Sequence, residues 1–264
     1  MLNRKITFSS FSLKIIALVL MTIDHIGAFI AGMPFFLRML GRVSAPLFFF
    51  TFAHSFQNTS SRKRFILRVY VASVVIELLK ILVFLYDSDS KYAVQCNIFA
   101  SLFLVLLIST GIEGSLMFFK SNDRAKALLY LALILIPVVR TFINSGSAGI
   151  AGWVIKALVP SLLEVEGEIP WVILGVGMCL TAKRKTSLIW FYALYCAFEL
   201  LGTVLIAGID TLLVNIQWMM IFALPFMFLY NGDKGKSVKW FFYIYYPVHI
   251  WLLYFIGHGF CKIF

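Results

Sequence analysis

An acid and an imidazole, Asp24 and His25, stand side by side inside an apolar run that extends from Phe11 to Ala31. Ionisable groups at membrane depth are costly, and they mark proton relays, ion pathways or reacting centres. The next apolar run brings Arg38 and Arg42, whose i, i+4 spacing places them on one helix face. The last run carries Tyr246 and a second histidine, His249, beside Pro247. An imidazole can take a proton from an attacking hydroxyl or amine, or briefly carry a transferred group. A guanidinium can anchor an anion or stabilise the oxyanion of a tetrahedral intermediate. Together these residue types fit group transfer at an intramembrane site.

Geometry refines that picture. Ala31-Gly32-Met33-Pro34 has turn chemistry, so the first two apolar helices run antiparallel around it. His25 then falls between Arg38 and Arg42 in depth, all three roughly 8–15 Å from the hairpin's outer end at the helical rise. Two guanidiniums are expected opposite one imidazole. Neighbouring residues on a helix diverge by about 100°, so Asp24 does not simply hold the His25 ring; it orients the site or balances charge by pairing with an arginine. Lys14, Leu18, Met21 and His25 share a face, with Lys14 at its inner mouth. Pro46 removes one helical hydrogen bond and crowds the carbonyl of Arg42, so the second helix should kink there. The blander alternatives are a structural histidine bonded between helices and arginines snorkelling to the outer interface.

The elements that position these groups follow from composition. The chain has 264 residues, 61% of them hydrophobic and 13% charged. A soluble domain carries nearer a quarter charged residues, so this composition implies a polytopic membrane protein. The fold expected is all-α, a single integral membrane domain over 1–264, built as a transmembrane helical bundle of about nine to ten spans. Apolar runs fall at about 11–31, 35–57, 65–86, 94–118, 126–143, 149–163, 169–182, 187–207, 213–230 and 240–260. The first is long enough to be retained as a spanning helix, with no small-residue cleavage site after a short core. Basic loops set the orientation. Arg4 and Lys5, Arg62-Lys63-Arg64, Lys120 with Arg124 and Lys126, Lys183-Arg184-Lys185, and Lys234 with Lys236 and Lys239 all fall inside if 149–163 is a re-entrant or partial helix. The N-terminus is then cytoplasmic and the protein a multi-pass component of the plasma membrane.

The net charge of +11 reflects those loops and the anionic lipids they meet, and no aromatic-basic module for nucleic acid is present. Cys96, Cys179, Cys196 and Cys261 are scattered without metal spacing, and no metal site is expected. Among other buried polar residues, Glu77 and Lys80 are spaced to satisfy each other, and His54 reads as structural. Glu113, Glu199 and Arg140 receive no role. Asn97, at the outer start of the fourth run, is either a packing residue or a site group. Tyr230-Asn231-Gly232-Asp233-Lys234-Gly235 is an inside loop whose glycines and lysines suit either a phosphate or a plain basic turn.

These residues also carry a resemblance. Lys14-Ile15-Ile16-Ala17 leading into Met21-Thr22-Ile23-Asp24-His25-Ile26-Gly27 resembles the opening of the TraX family. Gly41-Arg42-Val43-Ser44-Ala45-Pro46-Leu47-Phe48, Asn97-Ile98-Phe99, Leu229-Tyr230-Asn231-Gly232 and Phe242-Tyr243-Ile244-Tyr245-Tyr246-Pro247-Val248-His249 follow in the family's order. Residues 119–210 carry no such motif. TraX-like proteins are membrane acetyltransferases whose type member acetylates the N-terminus of conjugative pilin, and they are distantly similar to acyltransferases that modify cell-surface sugars. The resemblance implies acetyl-CoA or a related thioester as donor, and an acceptor that is a peptide amine or a glycan hydroxyl.

On that reading His25, Asp24 and Arg42 are the catalytic candidates, and Arg38, Asn97, Tyr246 and His249 the substrate-binding ones. Lys14, Asn231, Lys234, Lys236 and Lys239 are the candidates for holding the CoA phosphates from the inside. The competing readings are a proton-coupled transporter or flippase built on the same His/Asp/Arg groups, and an assembly factor without chemistry. No inverted repeat or matched pair of broken helices supports the transporter.

Overall fold

The computed structural model describes residues 6–86, 97–143 and 149–261, and they are helical apart from short connections and one isolated β-bridge. The helices are α1 (Ser10–Phe29), α2 (Phe36–Gly41), α3 (Ser44–Gln57), α4 (Arg62–Tyr86), α5 (Ile98–Lys120), α6 (Arg124–Thr141), α7 (Gly149–Leu158), α8 (Glu168–Thr181) and α9 (Lys185–Ala207), then α10 (Leu224–Phe228) and α11 (Lys239–Cys261). Short 3-10 helices at Ile209–Thr211 and Ile216–Ala223 lie between α9 and α10. Among the described residues, four segments are long and apolar enough to cross a membrane: Ser10–Phe29, Phe36–Gln57, Ile98–Lys120 and Lys185–Ala207. The protein is an all-helical membrane protein.

Several expected spans take other forms. The 149–163 run yields α7, whose ten residues reach only about 15 Å against a hydrocarbon core of about 30 Å. The 169–182 run yields α8, at 14 residues also short of a straight crossing. The 213–230 run is not one α-helix. Its eight-residue 3-10 segment closes with the Leu224 N–H on the Ile221 carbonyl, and α10 begins with a proline in its first turn. Pro225 has no N–H to offer Ile221, so one α-helical bond is lost where the 3-10 segment gives way to α10. The second helix breaks as Pro46 demands. α2 stops at Gly41 and α3 starts at Ser44, leaving the carbonyl of Arg42 outside the α-helical ladder.

The chain groups into two compact units, Met1–His54 with Thr181–Phe264, and Ser55–Leu180. In the first, α1 packs against α2 and α11, and α9 packs against the 3-10 segments and α10. Leu13, Ala17, Leu47, Phe50, Tyr192 and Met220 are fully or almost fully buried there. The buried Ser44 hydroxyl donates to the Ala17 carbonyl at 2.8 Å, which ties the start of α3 to α1. In the second unit α5 packs against α4 and α6, and α4 against α7.

Three segments of the first unit meet at one end. Phe8 bridges Tyr230 in parallel, with Phe8 N–H on the Leu229 carbonyl and Asn231 N–H on the Phe8 carbonyl. Ser10 and Phe11 N–H groups reach the carbonyls of Asp233 and Lys234, and Lys185 Nζ donates to the carbonyls of Phe228 and Tyr230. Residues 8–11, Lys185 and the loop that follows Phe228 therefore lie together.

Candidate active site

Asp24 and His25 leave α1 in different directions, and each finds its own partners. The Asp24 carboxylate takes both guanidiniums. Arg38 Nη1 lies 2.8 Å from Asp24 Oδ2, and Arg42 Nη2 lies 2.9 and 3.1 Å from the two carboxylate oxygens. Arg38 Nη1 also donates to the Asp24 carbonyl at 3.1 Å, and Arg42 Nε to the Arg38 carbonyl at 3.2 Å. Arg42 Nη1 reaches Gln217 Oε1 at 3.2 Å. The expectation of two guanidiniums facing the imidazole is thus corrected: the neighbouring carboxylate holds them, because an unpaired cation at this depth costs more than an ion pair with satisfied donors. One carboxylate and two guanidiniums leave this cluster with a net positive charge.

Gly41 makes the arrangement possible. A Cβ at this position would stand 2.2 Å from both Cβ and Oδ1 of Asp24. Only a residue without a side chain lets the carboxylate sit between α1 and α2 beside the arginines.

His25 faces α11 instead. Its Nδ1 lies 2.8 Å from Nε2 of His249, across 224 residues of chain, and the two residues are 7% and 5% exposed. His249 Nδ1 lies 2.9 Å from the Tyr245 carbonyl. Both of its nitrogens are therefore engaged within the protein. Tyr246 is buried with its ring edge-on to His249, and Phe29 stands edge-on to His25. Thr22 donates to the Leu18 carbonyl and meets the Tyr245 hydroxyl at 2.8 Å. α1 and α11 approach closely beyond the histidines, where a Cβ on Gly257 would lie 2.0 Å from the Phe29 carbonyl oxygen. Among the described residues, no hydrogen bond is made by Nε2 of His25.

The other candidates lie elsewhere. Asn97 belongs to the second unit, where Nδ2 donates to Glu77 Oε2 at 2.8 Å and to the Ser73 carbonyl, while Oδ1 caps α5. Its polar atoms are spent on structure. Lys14 Nζ lies 6.0 Å from the Phe242 ring centroid, so its stem runs towards α11. Asn231 Oδ1 accepts from Asp233 N–H in an Asx turn, and Lys234 and Lys236 are exposed on the same loop. Burial first, and then the Asp233 carboxylate, raises the Tyr230 phenol above its usual value. The side chain of Lys239 lies outside the described residues. No group of three or more His, Cys, Asp or Glu able to hold a metal is found among the described residues.

Gly41, Gln217, Thr22 and Tyr245 complete the site without having been singled out as its members from the sequence. Gln217 shares its apolar run with only one other amide, Asn215, and an amide at that depth was the available signal. A glycine that admits a carboxylate has no signal of its own.

Comparison with known proteins agrees on one family. The family described as TraX protein matches residues 9–257. A curated relative from Dichelobacter nodosus, named probable fimbrial assembly protein FimC, serogroup H1, is 24% identical over 273 residues, covering 96% of this chain and 97% of its own. No solved structure matches the chain.

Proposed function

The chain belongs to the TraX family, and from that premise we propose that it is a membrane-embedded acyltransferase moving an acetyl or short acyl group from acetyl-CoA to a peptide amine or glycan hydroxyl. The observation that carries this reading is the buried His25, its Nδ1 held by a second buried histidine and its Nε2 without a hydrogen bond among the described residues, one residue from a carboxylate that gathers two guanidiniums. His25 takes the proton of the attacking group, and Arg42, assisted by Arg38, stabilises the developing oxyanion across the short step to Asp24. Asp24 aims the guanidiniums and balances part of their charge. The exposed Lys234 and Lys236, on the loop clasped by the N-terminal segment, supply cations for the donor's phosphates, with Lys14 further in.

That geometry supports a donor approaching from the cytoplasmic side and an acceptor from the outside. The relative's name, a fimbrial assembly protein, favours a surface-fibre subunit as acceptor.

The test is transfer from labelled acetyl-CoA by purified protein in nanodiscs, comparing wild type with His25→Ala. Wild type should release CoA and pass label to a peptide amine or glycan, and the variant should lose at least about 100-fold, the usual worth of a positioned base. Intact thioester and no acetyl-CoA binding by wild type would leave the transporter reading in its place.

A further inference from the structure

We infer that His249 is a positioning residue that fixes the tautomer of His25, so that Nε2 of His25, and not Nδ1, is the reacting nitrogen. This inference deepens the acyl-transfer reading and rests on it for the word "reacting"; the tautomer itself rests on geometry alone.

The chain of hydrogen bonds has one polarity. A backbone carbonyl only accepts, so His249 Nδ1, 2.9 Å from the Tyr245 oxygen, carries the proton of that bond. A neutral imidazole has one N–H, so Nε2 of His249 presents its lone pair. His25 Nδ1, 2.8 Å away, must then donate to it. That leaves Nε2 of His25 with a lone pair and no partner among the described residues. The Asp24 carboxylate is already shared by two guanidiniums, so it offers no counter-charge to an imidazolium in the resting pair.

The ring geometry agrees with this reading. The two imidazole planes lie within 12° of each other with centroids 5.0 Å apart. That is close to the largest separation two such rings can have with nitrogens 2.8 Å apart. The rings therefore meet edge to edge in a near-common plane, where an N–H points straight along the facing lone pair. A face-to-face stack would bring the centroids much closer.

The outer members of the chain are fixed as well. Thr22 Oγ1 spends its proton on the Leu18 carbonyl at 2.9 Å, so the Tyr245 hydroxyl donates to Thr22 at 2.8 Å. Tyr245 is thereby pinned to α1 while its ring lies against His249, 5.0 Å between centroids and 17° between planes. One tyrosine thus orients His249 with its carbonyl and confines it with its ring.

The reaction balances on these atoms. The acceptor's N–H or O–H bond breaks and its proton goes to His25 Nε2 as the acceptor atom bonds the thioester carbonyl carbon. The tetrahedral adduct collapses, the C–S bond breaks, and the thiolate takes the proton back from Nε2. Throughout, His25 Nδ1–H stays on His249, which shares the transient positive charge by its lone pair.

The experiment is nitrogen-15 NMR of histidine-labelled protein in nanodiscs, read together with steady-state transfer from acetyl-CoA, for wild type, His249→Phe and His249→Gln. The chain holds four histidines, so assignment needs few variants. In wild type, His25 should show a protonated Nδ1 and a bare Nε2. In His249→Phe the proton should move to Nε2 in most molecules and kcat should fall at least about 100-fold, within the range seen when a base histidine loses its orienting partner, while KM for acetyl-CoA stays within threefold. His249→Gln, whose amide oxygen can accept the Nδ1 proton, should restore the tautomer and recover about tenfold in kcat over the phenylalanine variant. A wild-type His25 protonated on Nε2, a phenylalanine variant with wild-type kcat, or a glutamine variant no better than phenylalanine would overturn the inference. Because the tautomer is read without turnover, a wild type that transfers no acetyl would sink the acyltransferase reading while the spectrum still decides the tautomer.

Discussion

In the second unit Glu77 and Lys80 sit one turn apart on α4, with Lys80 Nζ 3.0 and 3.1 Å from the two carboxylate oxygens and Asn97 Nδ2 closing the remaining side. In the first unit Asp24 draws its arginines from two turns of a neighbouring hairpin, and His25 its partner from the far end of the chain. Glu77, Lys80 and Asn97 are buried, as are Asp24, His25 and His249, while the two guanidiniums are half-buried, and both clusters face a penalty for charge in a low-dielectric setting. They differ in what is left over. The α4 cluster closes on itself: one acid, one base, each oxygen occupied. The α1 cluster carries excess positive charge and ends on a lone pair. A polar group that stability does not consume is available for chemistry, and the α1 cluster keeps one in Nε2 of His25.

The largest contrast should come from removing the acid in each cluster. Asp24→Ala leaves two half-buried guanidiniums without their counter-ion, and a loss approaching the about 3–5 kcal/mol of a fully buried pair is expected. Thermal unfolding in detergent measures it, and acetyl transfer should fall to background. Glu77→Ala should destabilise similarly, yet the molecules that remain folded should turn over at close to the wild-type rate. If the two variants lose transfer per folded molecule equally, the division between a closed and a working cluster fails.

Gly41→Ala sharpens the comparison without touching a charge. The new Cβ falls 2.2 Å from the Asp24 side chain, so either the carboxylate or α2 must move. Overpacking of this kind costs about 1–3 kcal/mol, but the displacement lies at the guanidiniums, so transfer should drop by tenfold or more. Gly114→Ala, in the second unit, meets the Tyr130 ring at 2.1 Å and should cost comparable stability with little change in turnover. The ratio of activity loss to stability loss separates the two glycines.

The parts of this site legible in the sequence were the ones that are costly wherever they sit. Asp24, His25, Arg38, Arg42 and His249 declared themselves by charge or polarity inside apolar runs, and the divergence of Asp24 from His25 followed from helical geometry. Pairings were less legible, because depth along two helices 224 residues apart depends on tilt and packing that no local pattern encodes. Asn97 stayed open between packing and site for a related reason: a buried amide looks the same whether it caps a helix and holds Glu77 or binds a ligand. Pro225 removes the N–H that would bond the Ile221 carbonyl, but α6 and α11 run on through Pro137 and Pro247, so a proline in an apolar run did not by itself foretell the 3-10 segment at Ile216–Ala223.

A smaller effect isolates geometry from charge. Arg42→Lys keeps a cation beside Asp24 but loses the planar fork that bonds the carboxylate, Gln217 and the Arg38 carbonyl together. Lysine offers a point charge on a flexible stem, so transfer should fall about tenfold with stability little changed. A lysine variant with wild-type turnover would reduce the role of Arg42 to neutralising Asp24.

The smallest effect should come from erasing the α4 pair altogether. Replacing a buried ion pair by apolar residues of similar volume is often neutral or stabilising, because the desolvation cost disappears with the attraction. Glu77→Leu with Lys80→Met should therefore unfold within about 1 kcal/mol of wild type, once Asn97 is changed to Ser to spare its amide an empty acceptor. Transfer should stay within about threefold. The same treatment of the first unit, Asp24→Leu with Arg38→Met and Arg42→Met, should yield an equally foldable protein with no transfer. A polar cluster kept only for structure can be replaced by oil-like packing, whereas one kept for its chemistry cannot, and these two triple variants place each cluster on its side of that line.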